Sequence, residues 1–299
     1  MTIAELPPAT HPEVMMDPNK SDNPYGMDIG SEYAKGLMNQ LISTVSPYAD
    51  GDTNPDLGSK SLFVLDGHEP GTDLARMLEA DVLKNDSKWG QSPEQTSQEL
   101  SAIEDNSKFF ILVDKTSDGP KLVGSLRIAD LRKGPSESKA FYLSENKVEL
   151  SLPNDIDHNA IWDIVYVVVH PEYQDGKNSA WLYWAMHDVS EKSLKAGGED
   201  AVEGWIANIH EEEYRLLSML GIPFKEIPNT TRIEVPSKIN PNKKHLYGFY
   251  YTELDIVASS VEATARKLLP KSGSSRFLGQ LACIAKFGSE HLPEEQKAA

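Results

Sequence analysis

The stretch Ile161 to Ala185, IWDIVYVVVHPEYQDGKNSAWLYWA, constrains the fold of this chain more than any other. Ile164 to Val169 is β-branched and aromatic without strict alternation, the pattern of a strand covered on both faces. Pro171 stops it. Gln174 to Asn178 is a turn sequence, and Ser179 caps a helix in which Trp181, Trp184, Ala185 and Val189 recur at helical spacing. A helix that starts just beyond a strand end presents backbone N–H groups there. With the helix dipole, these favour an anion such as a phosphate. An ordinary crossover in a mixed sheet accounts for the same residues equally well.

The flanking chain reads as further strands and helices. Ala201 to Ile209 is predicted as the next strand, Glu211 to Leu220 as a helix, and Gly221 as its C-terminal stop. Upstream, Ser61 to Leu65 is the first strand of the core, and Thr72 to Leu83 is a helix capped by Thr72 or Asp73. Ser92-Pro93-Glu94 begins another helix, because proline fits a first turn. Phe109 to Val113 and Leu122 to Ala129 form a hairpin around Ser117-Asp118-Gly119-Pro120. Downstream, Phe224 to Val235 and Leu246 to Leu254 are predicted as closing strands. Lys133 to Asn159 is polar and turn-rich and reads as an insertion.

Residues 1–58 are rich in Pro, Asp, Asn and Gly and read as extended or mobile, with one helix over Ser31 to Val45. Residues 59–256 form the core domain on this reading. Residues 257–299 are a helical extension with short helices at Val261 to Leu269 and Phe277 to Phe287, which pack outside the domain or meet a second copy in a homodimer.

Composition narrows the function classes. At 299 residues with 39% hydrophobic content, the chain supports a substantial core. A single cysteine, Cys283, rules out a disulfide framework and any multi-cysteine metal site. The eight histidines show no metal-ligand spacing, so no dedicated metal is expected. A formal charge of −17 opposes nucleic acid and anionic membrane surfaces, which are bound by clustered Lys and Arg. No basic segment leads into an apolar run and no stretch is long enough to span a bilayer, so a cytoplasmic location is expected.

The loop Gln174-Asp175-Gly176-Lys177-Asn178-Ser179 and the strand before it resemble the central motif of the GCN5-related N-acetyltransferase superfamily. There, a strand bearing a catalytic carboxylate runs into a Gln/Arg-x-x-Gly-x-Gly/Ala loop that holds the pyrophosphate of acetyl-CoA. Gln174 fits, Lys177 stands at the first Gly, and Ser179 takes the small second position. LLSMLGI, Leu216 to Ile222, resembles the family's Phe-Tyr-x-Lys-x-Gly-Phe ending, with Leu217 where a tyrosine often protonates the leaving thiolate. The resemblance spans residues 61–255 and implies an α/β fold with a mixed central sheet flanked by helices. It also implies an acyltransferase that moves an acetyl or other acyl group from acetyl-CoA or another acyl-CoA to a small-molecule or peptide amine by direct attack.

On that resemblance the cofactor contacts are Val167, Val168 and Val169, whose backbone amides polarise the thioester carbonyl, together with Gln174, Asp175, Gly176, Lys177, Asn178, Ser179 and Ala180. The pyrophosphate would rest on the amides of Gly176 to Ala180, and the Lys177 ammonium would meet it as a point charge. Asp163 occupies the position where some members carry the general base. An amine must be neutral to attack an acyl carbonyl, and a nearby carboxylate, directly or through water, removes its proton. A surface salt bridge at the strand end explains Asp163 equally well. His210 stands where the family commonly has an Asn that contacts the pantetheine arm or a water; it is the second candidate base, and a structural histidine is the plainer alternative. Tyr214, one helical turn before Leu217, is a candidate replacement acid.

Arg76, Trp89, LVGSLRIADL at Leu122 to Leu131, and Trp162-Asp163 are similar to the acyl-homoserine-lactone synthase branch, with Tyr166 where an Arg would stand. That similarity implies transfer of a long acyl chain from acyl-CoA or acyl carrier protein as the alternative chemistry. A third reading is a non-catalytic member that keeps the fold as a ligand-binding or interaction module. Leu217 and the altered loop favour it; Asp163 and the intact strand-to-helix order oppose it.

Overall fold

Among the described residues, nine strands hydrogen-bond into one mixed sheet. The computed structural model describes residues 23–268 except 53, 55–56, 70, 86–90, 154–159, 175–176, 220, 238–239 and 241. The strands are β1 (Ala49–Asp50), β2 (Lys60–Asp66), β3 (Ser107–Thr116), β4 (Gly119–Asp130), β5 (Ile161–Val169), β6 (Gly204–His210), β7 (Lys225–Glu226), β8 (Ile233–Pro236) and β9 (Lys244–Glu253). Their order is β1-β2-β3-β4-β5-β6-β9-β7, with β8 also on β9. Only β5 and β6 pair in parallel; the other pairings are antiparallel. The helices are α1 (Glu32–Thr44), α2 (Thr72–Asn85), α3 (Pro93–Leu100), α4 (Glu137–Asn146), α5 (Lys177–Ala196), α6 (Glu211–Met219) and α7 (Leu254–Leu268). No helix among the described residues is long and apolar enough to cross a membrane.

Helices cover both faces, which is why the central strands read as nearly unbroken apolar runs. On β3, Phe109, Ile111 and Val113 pack with α1 and α2 on the front, while Phe110 and Leu112 pack with α5 on the back. α4 joins the front through Tyr142, which packs with Ile161, Ile206 and Phe249. α6 and α7 join the back through Leu217, Leu254, Val257 and Val261. Each fully buried side chain of the size of Leu182 or Phe110 stabilises the fold by about 1.5–3 kcal/mol. The mixed sheet with flanking helices is the architecture the central motif implies.

Local signals explain several boundaries. Ser92 caps α3 in a reciprocal capping box with Gln95, and Pro93 opens the helix. Past α6, Gly221 takes a left-handed φ of +85°, with Gly221 N–H on the Ser218 carbonyl and Ile222 N–H on the Leu217 carbonyl, a Schellman closure. Three expectations change. The polar tract Lys133 to Asn159 contains α4, capped by Ser136. The single strand predicted over Phe224 to Val235 is instead two short strands on β9, split by a turn at which Asn229 has φ +61°. The helix predicted from Val261 starts at Leu254, and the one over Phe277 to Phe287 lies outside the described residues.

β5 carries the feature that shapes the site. Arg127 pairs with Tyr166 and Ile128 with Ile164, so Val165 is an extra residue opposite β4, a β-bulge. Val165 and Tyr166 therefore both pack on the front, against a cluster containing Tyr25, Ala80, Leu100, Ile103 and Ala129. A bulge bends and twists its strand. The parallel ladder ends at the same place: Ile161 to Ile164 pair with Gly204 to Ala207, and beyond that β5 pairs only with β4 and β6 only with β9.

Candidate active site at the parting of two strands

Just past the last residue of β6 that pairs with β5, Asn208 points to the front, two positions on from Ile206. Its Nδ2 donates to Glu137 Oε2 at 3.1 Å. Glu137 is the first residue of α4, and the helix start is tied to β5 as well. Asp163 Oδ2 accepts from Ser136 Oγ at 2.6 Å and from the Ser138 amide at 2.8 Å, while Oδ1 accepts from Ser138 Oγ at 2.7 Å. Asp163 is thus fully buried, with both oxygens engaged. Burial pushes its carboxyl above the usual range, and the serine hydrogen bonds and the Lys139 charge oppose that.

Glu137 is only half-buried, unlike Asp163, and keeps an open side. Burial, then the neighbouring charges of Asp163 and Glu99, push it up to about 8, with only the Asn208 hydrogen bond pulling down. Glu99 of α3 accepts from Gln91 Nε2 at 2.6 Å. Tyr166 completes the front wall; burial, then Glu137 and Glu99, hold its hydroxyl protonated. Among the described residues no lysine or arginine forms an ion pair with Glu137, Glu99 or Asp163. Glu137 is the residue the sequence reading missed. The available signal was Ser136 as an N-cap with Phe141 and Tyr142 following at helical spacing, which marks a helix start but not its neighbours.

His210 ends β6 on the same face as Asn208 and is 4% exposed. Its Nδ1 accepts from the Glu212 amide at 3.3 Å, so the ring proton sits on Nε2, which lies 3.1 Å from His245 Nδ1. Both ring nitrogens of His210 are therefore engaged, and the ring meets Tyr247 edge-on at 5.4 Å. The fold brings Asp163 and His210 to one face, with Asn208 of β6 on that face and Glu137 of α4 bonded to it.

The back of the split is formed by α5 and α6. Val167 and Val169 pack toward α5, and Val168 faces the front. Lys177, Asn178, Ser179 and Ala180 make the first turn of α5, where the helix dipole concentrates positive potential. Gln174 Nε2 donates to the Val169 carbonyl at 3.2 Å and Asn178 Nδ2 to the Tyr173 carbonyl at 2.8 Å, so both side chains brace the turn. Asp175 and Gly176 lie outside the described residues. Leu217 is buried, as an apolar residue should be. Tyr214 stacks on Tyr250 at 4.2 Å. Tyr183 of α5 stays protonated because burial, then the Glu213 charge, push its hydroxyl up.

No protein-family model matches the chain, and no curated protein matches it in sequence. Among solved structures it is similar to BjaI, a CoA-dependent acyl-homoserine lactone synthase determined with MTA, at 10% identity over 74% of this chain and 97% of that one, with a TM-score of 0.46. TofI in a ternary complex with an inhibitor and MTA matches at 10% identity over 68% and 95%, TM-score 0.42. The spermidine/spermine N-acetyltransferase SpeG from Vibrio cholerae matches at 13% identity over 67% and 97%, TM-score 0.38. These likenesses are of chain path, and the split in this chain's own sheet is what bears on chemistry.

Proposed function

We propose that the chain is an acyltransferase that moves an acyl group from a CoA thioester to an amine at the point where β5 and β6 part. The observation that carries this is the half-buried Glu137, held by Asn208 just past the end of the β5–β6 ladder with no cation paired to it among the described residues. There, burial and the Asp163 and Glu99 charges push its carboxyl up to about 8. A base of that strength suits an ammonium acceptor near neutral pH, because proton transfer is most effective when the catalytic group titrates close to the working pH.

The front of the cleft is rich in carboxylates and attracts a protonated amine. Glu137 takes one proton from it, and the freed nitrogen lone pair attacks the thioester carbonyl. Among the described residues β5 beyond Ile164 pairs with no strand on its β6 side, and its backbone donors near Val167 to Val169 stabilise the developing oxyanion. Collapse breaks the C–S bond, and the nitrogen's second proton passes through solvent to restore the tyrosine that protonates the thiolate. Tyr183 or Tyr214 supplies a proton to the departing thiolate. Asp163 holds the first turn of α4 and so positions Glu137, and the first turn of α5 carries the donor's phosphates.

Calorimetric titration of the full chain with CoA, acetyl-CoA and acyl-CoAs of increasing length tests the reading. Saturable heat with at least one thioester is expected, and the preferred length separates acetyl from long-chain transfer. A folded protein that binds none of them supports the interaction-module alternative instead.

A further inference from the structure

His210 and His245 form a buried pair that the proposed chemistry leaves unused, and the chemistry of the rings fixes where its protons sit. The two residues are 4% and 2% exposed. His210 Nδ1 accepts from the Glu212 amide, and its Nε2 lies 3.1 Å from His245 Nδ1. His245 Nε2 is buried without a hydrogen-bond partner among the described residues. At that ring separation only one proton fits between the facing nitrogens. The neutral pair therefore holds one proton between the rings and one on His245 Nε2, because the Glu212 N–H already occupies His210 Nδ1. A further proton has one place to go, His210 Nδ1, and it arrives there only by displacing the Glu212 amide.

A partner for the displaced state is close by. Glu212 Oε2 lies 3.9 Å from His210 Nδ1, near enough for a protonated ring to exchange an amide donor for a carboxylate acceptor. The other charged groups on the surrounding elements are already engaged: Glu211 of α6 pairs with Arg215 at 2.6 Å, and Lys244 of β9 with Glu234 of β8 at 2.5 Å. Tyr247 of β9 meets His210 edge-on, and Glu137 of α4 is bonded to Asn208, two residues earlier on β6. We propose that the two histidines are a proton-operated latch on the start of α6. Uptake of one proton frees the Glu212 amide, draws the Glu212 carboxylate onto His210 and shifts the first turn of the helix that backs the split. The latch depends on the ring geometry alone and not on acyl transfer.

In ¹⁵N-labelled full-length protein the Glu212 amide and the His210 ring nitrogens are followed by NMR from about pH 8 to about pH 5, the range in which imidazoles ordinarily titrate. His210→Asn identifies the ring signals by their loss. It also keeps a side-chain oxygen that can accept from the Glu212 amide but does not titrate. In the unaltered protein, ring and amide should move with one midpoint, the amide losing its hydrogen-bonded shift as the ring gains its second proton. In His210→Asn the amide should stay in place across the range. Glu212→Gln should lower the midpoint by about half a pH unit, the scale of one exposed ion pair. If His210→Asn does not fold, His210→Gln takes its place. A ring that protonates while the Glu212 amide stays still overturns the latch, as does a ring that remains neutral until the protein unfolds. An unshifted midpoint in Glu212→Gln, or equal movement of the amide in His210→Asn, overturns it too.

Discussion

Two buried charged regions lie on the front of this sheet, and they are built on opposite plans. Between α2, β4 and the segment before β3, two guanidinium groups meet two carboxylates. Arg127 grips Glu79 through two hydrogen bonds of 3.0 and 2.8 Å, with both side chains fully buried. Glu104 accepts from Arg127 at 3.1 Å and from Arg76 at 2.9 and 2.6 Å. The Tyr25 hydroxyl accepts from Arg127 at 2.8 Å and donates to Glu104. In the cleft, by contrast, Asp163, Glu137 and Glu99 are held by serines, amides and side-chain amides only.

The same residue type therefore ends at two different acidities. At Glu104 burial acts upward, but Arg127 and Arg76 outweigh it and hold the carboxyl at about 2. At Glu137 burial and two like charges act together and carry it to about 8. Glu79 is pushed up by burial and pulled down by Arg127, whose own pKa is raised; with the guanidinium bound through two contacts, the pair stays ionised. Burial sets the scale of a shift and the partner sets its outcome. A neutralised cluster organises the fold, whereas the unneutralised one is what the proposed chemistry draws on.

The largest effect should come from breaking the paired cluster. Arg127→Ala strands Glu79 in the interior and should lower stability by about 3–5 kcal/mol in denaturant unfolding. A loss under about 1 kcal/mol would remove the contrast between the two regions. Glu137→Gln should lower turnover by about 10² or more, the usual scale for losing a general base. It should also abolish a rise in rate centred near pH 8.

The two regions should also separate by pH. Glu137 titrates higher folded than its ordinary 4.5, so the folded state binds the extra proton and stability falls as pH rises from about 4.5 to about 8. Glu104 titrates lower folded, so its contribution is present above 4.5 and is lost as pH falls toward about 2. Unfolding midpoints across pH should show Glu137→Gln flattening only the alkaline limb and Glu104→Gln only the acid limb.

Asp163→Asn should cost about 1–3 kcal/mol, because it loses the charge-assisted bonds and the Ser138 hydroxyl must turn round to accept from the new amide. Its turnover should fall less than that of Glu137→Gln. If Asp163→Asn silences the enzyme at unchanged stability while Glu137→Gln is active, the base is Asp163, as the strand motif implies. The smallest change is Tyr25→Phe, which removes one hydroxyl from a cluster that keeps its ion pairs and should cost about 1 kcal/mol by thermal or chemical unfolding.

The central strand, the helix that follows it, the Ser92-Pro93 start and the Gly221 stop were legible because each is written in a handful of adjacent residues, although that helix begins at Lys177 and Ser179, expected as its cap, lies within the first turn. α4 was not, since its few apolar positions, Phe141 and Tyr142 among them, are diluted in a polar tract. Nor was the break at Asn229, where a left-handed residue interrupts an otherwise strand-like run. Asp163 and His210 could be named from motif position, but their saturated hydrogen bonds depend on residues far along the chain. Glu137 was invisible for the same reason: its acidity depends on Asp163, Glu99 and Asn208, which only folding brings to it.

The extra residue at Val165 changes how the site tolerates variation. Because the opening between β5 and β6 coincides with a difference in backbone count rather than with any one side chain, apolar replacements at 165 should leave it in place. Removal of a single residue there would restore strict alternation and turn either half of the strand over relative to the other, exchanging what faces the helices of front and back. In a scan of all changes along β5, the position would stand out as permissive to substitution and intolerant of deletion, a signature of length rather than chemistry.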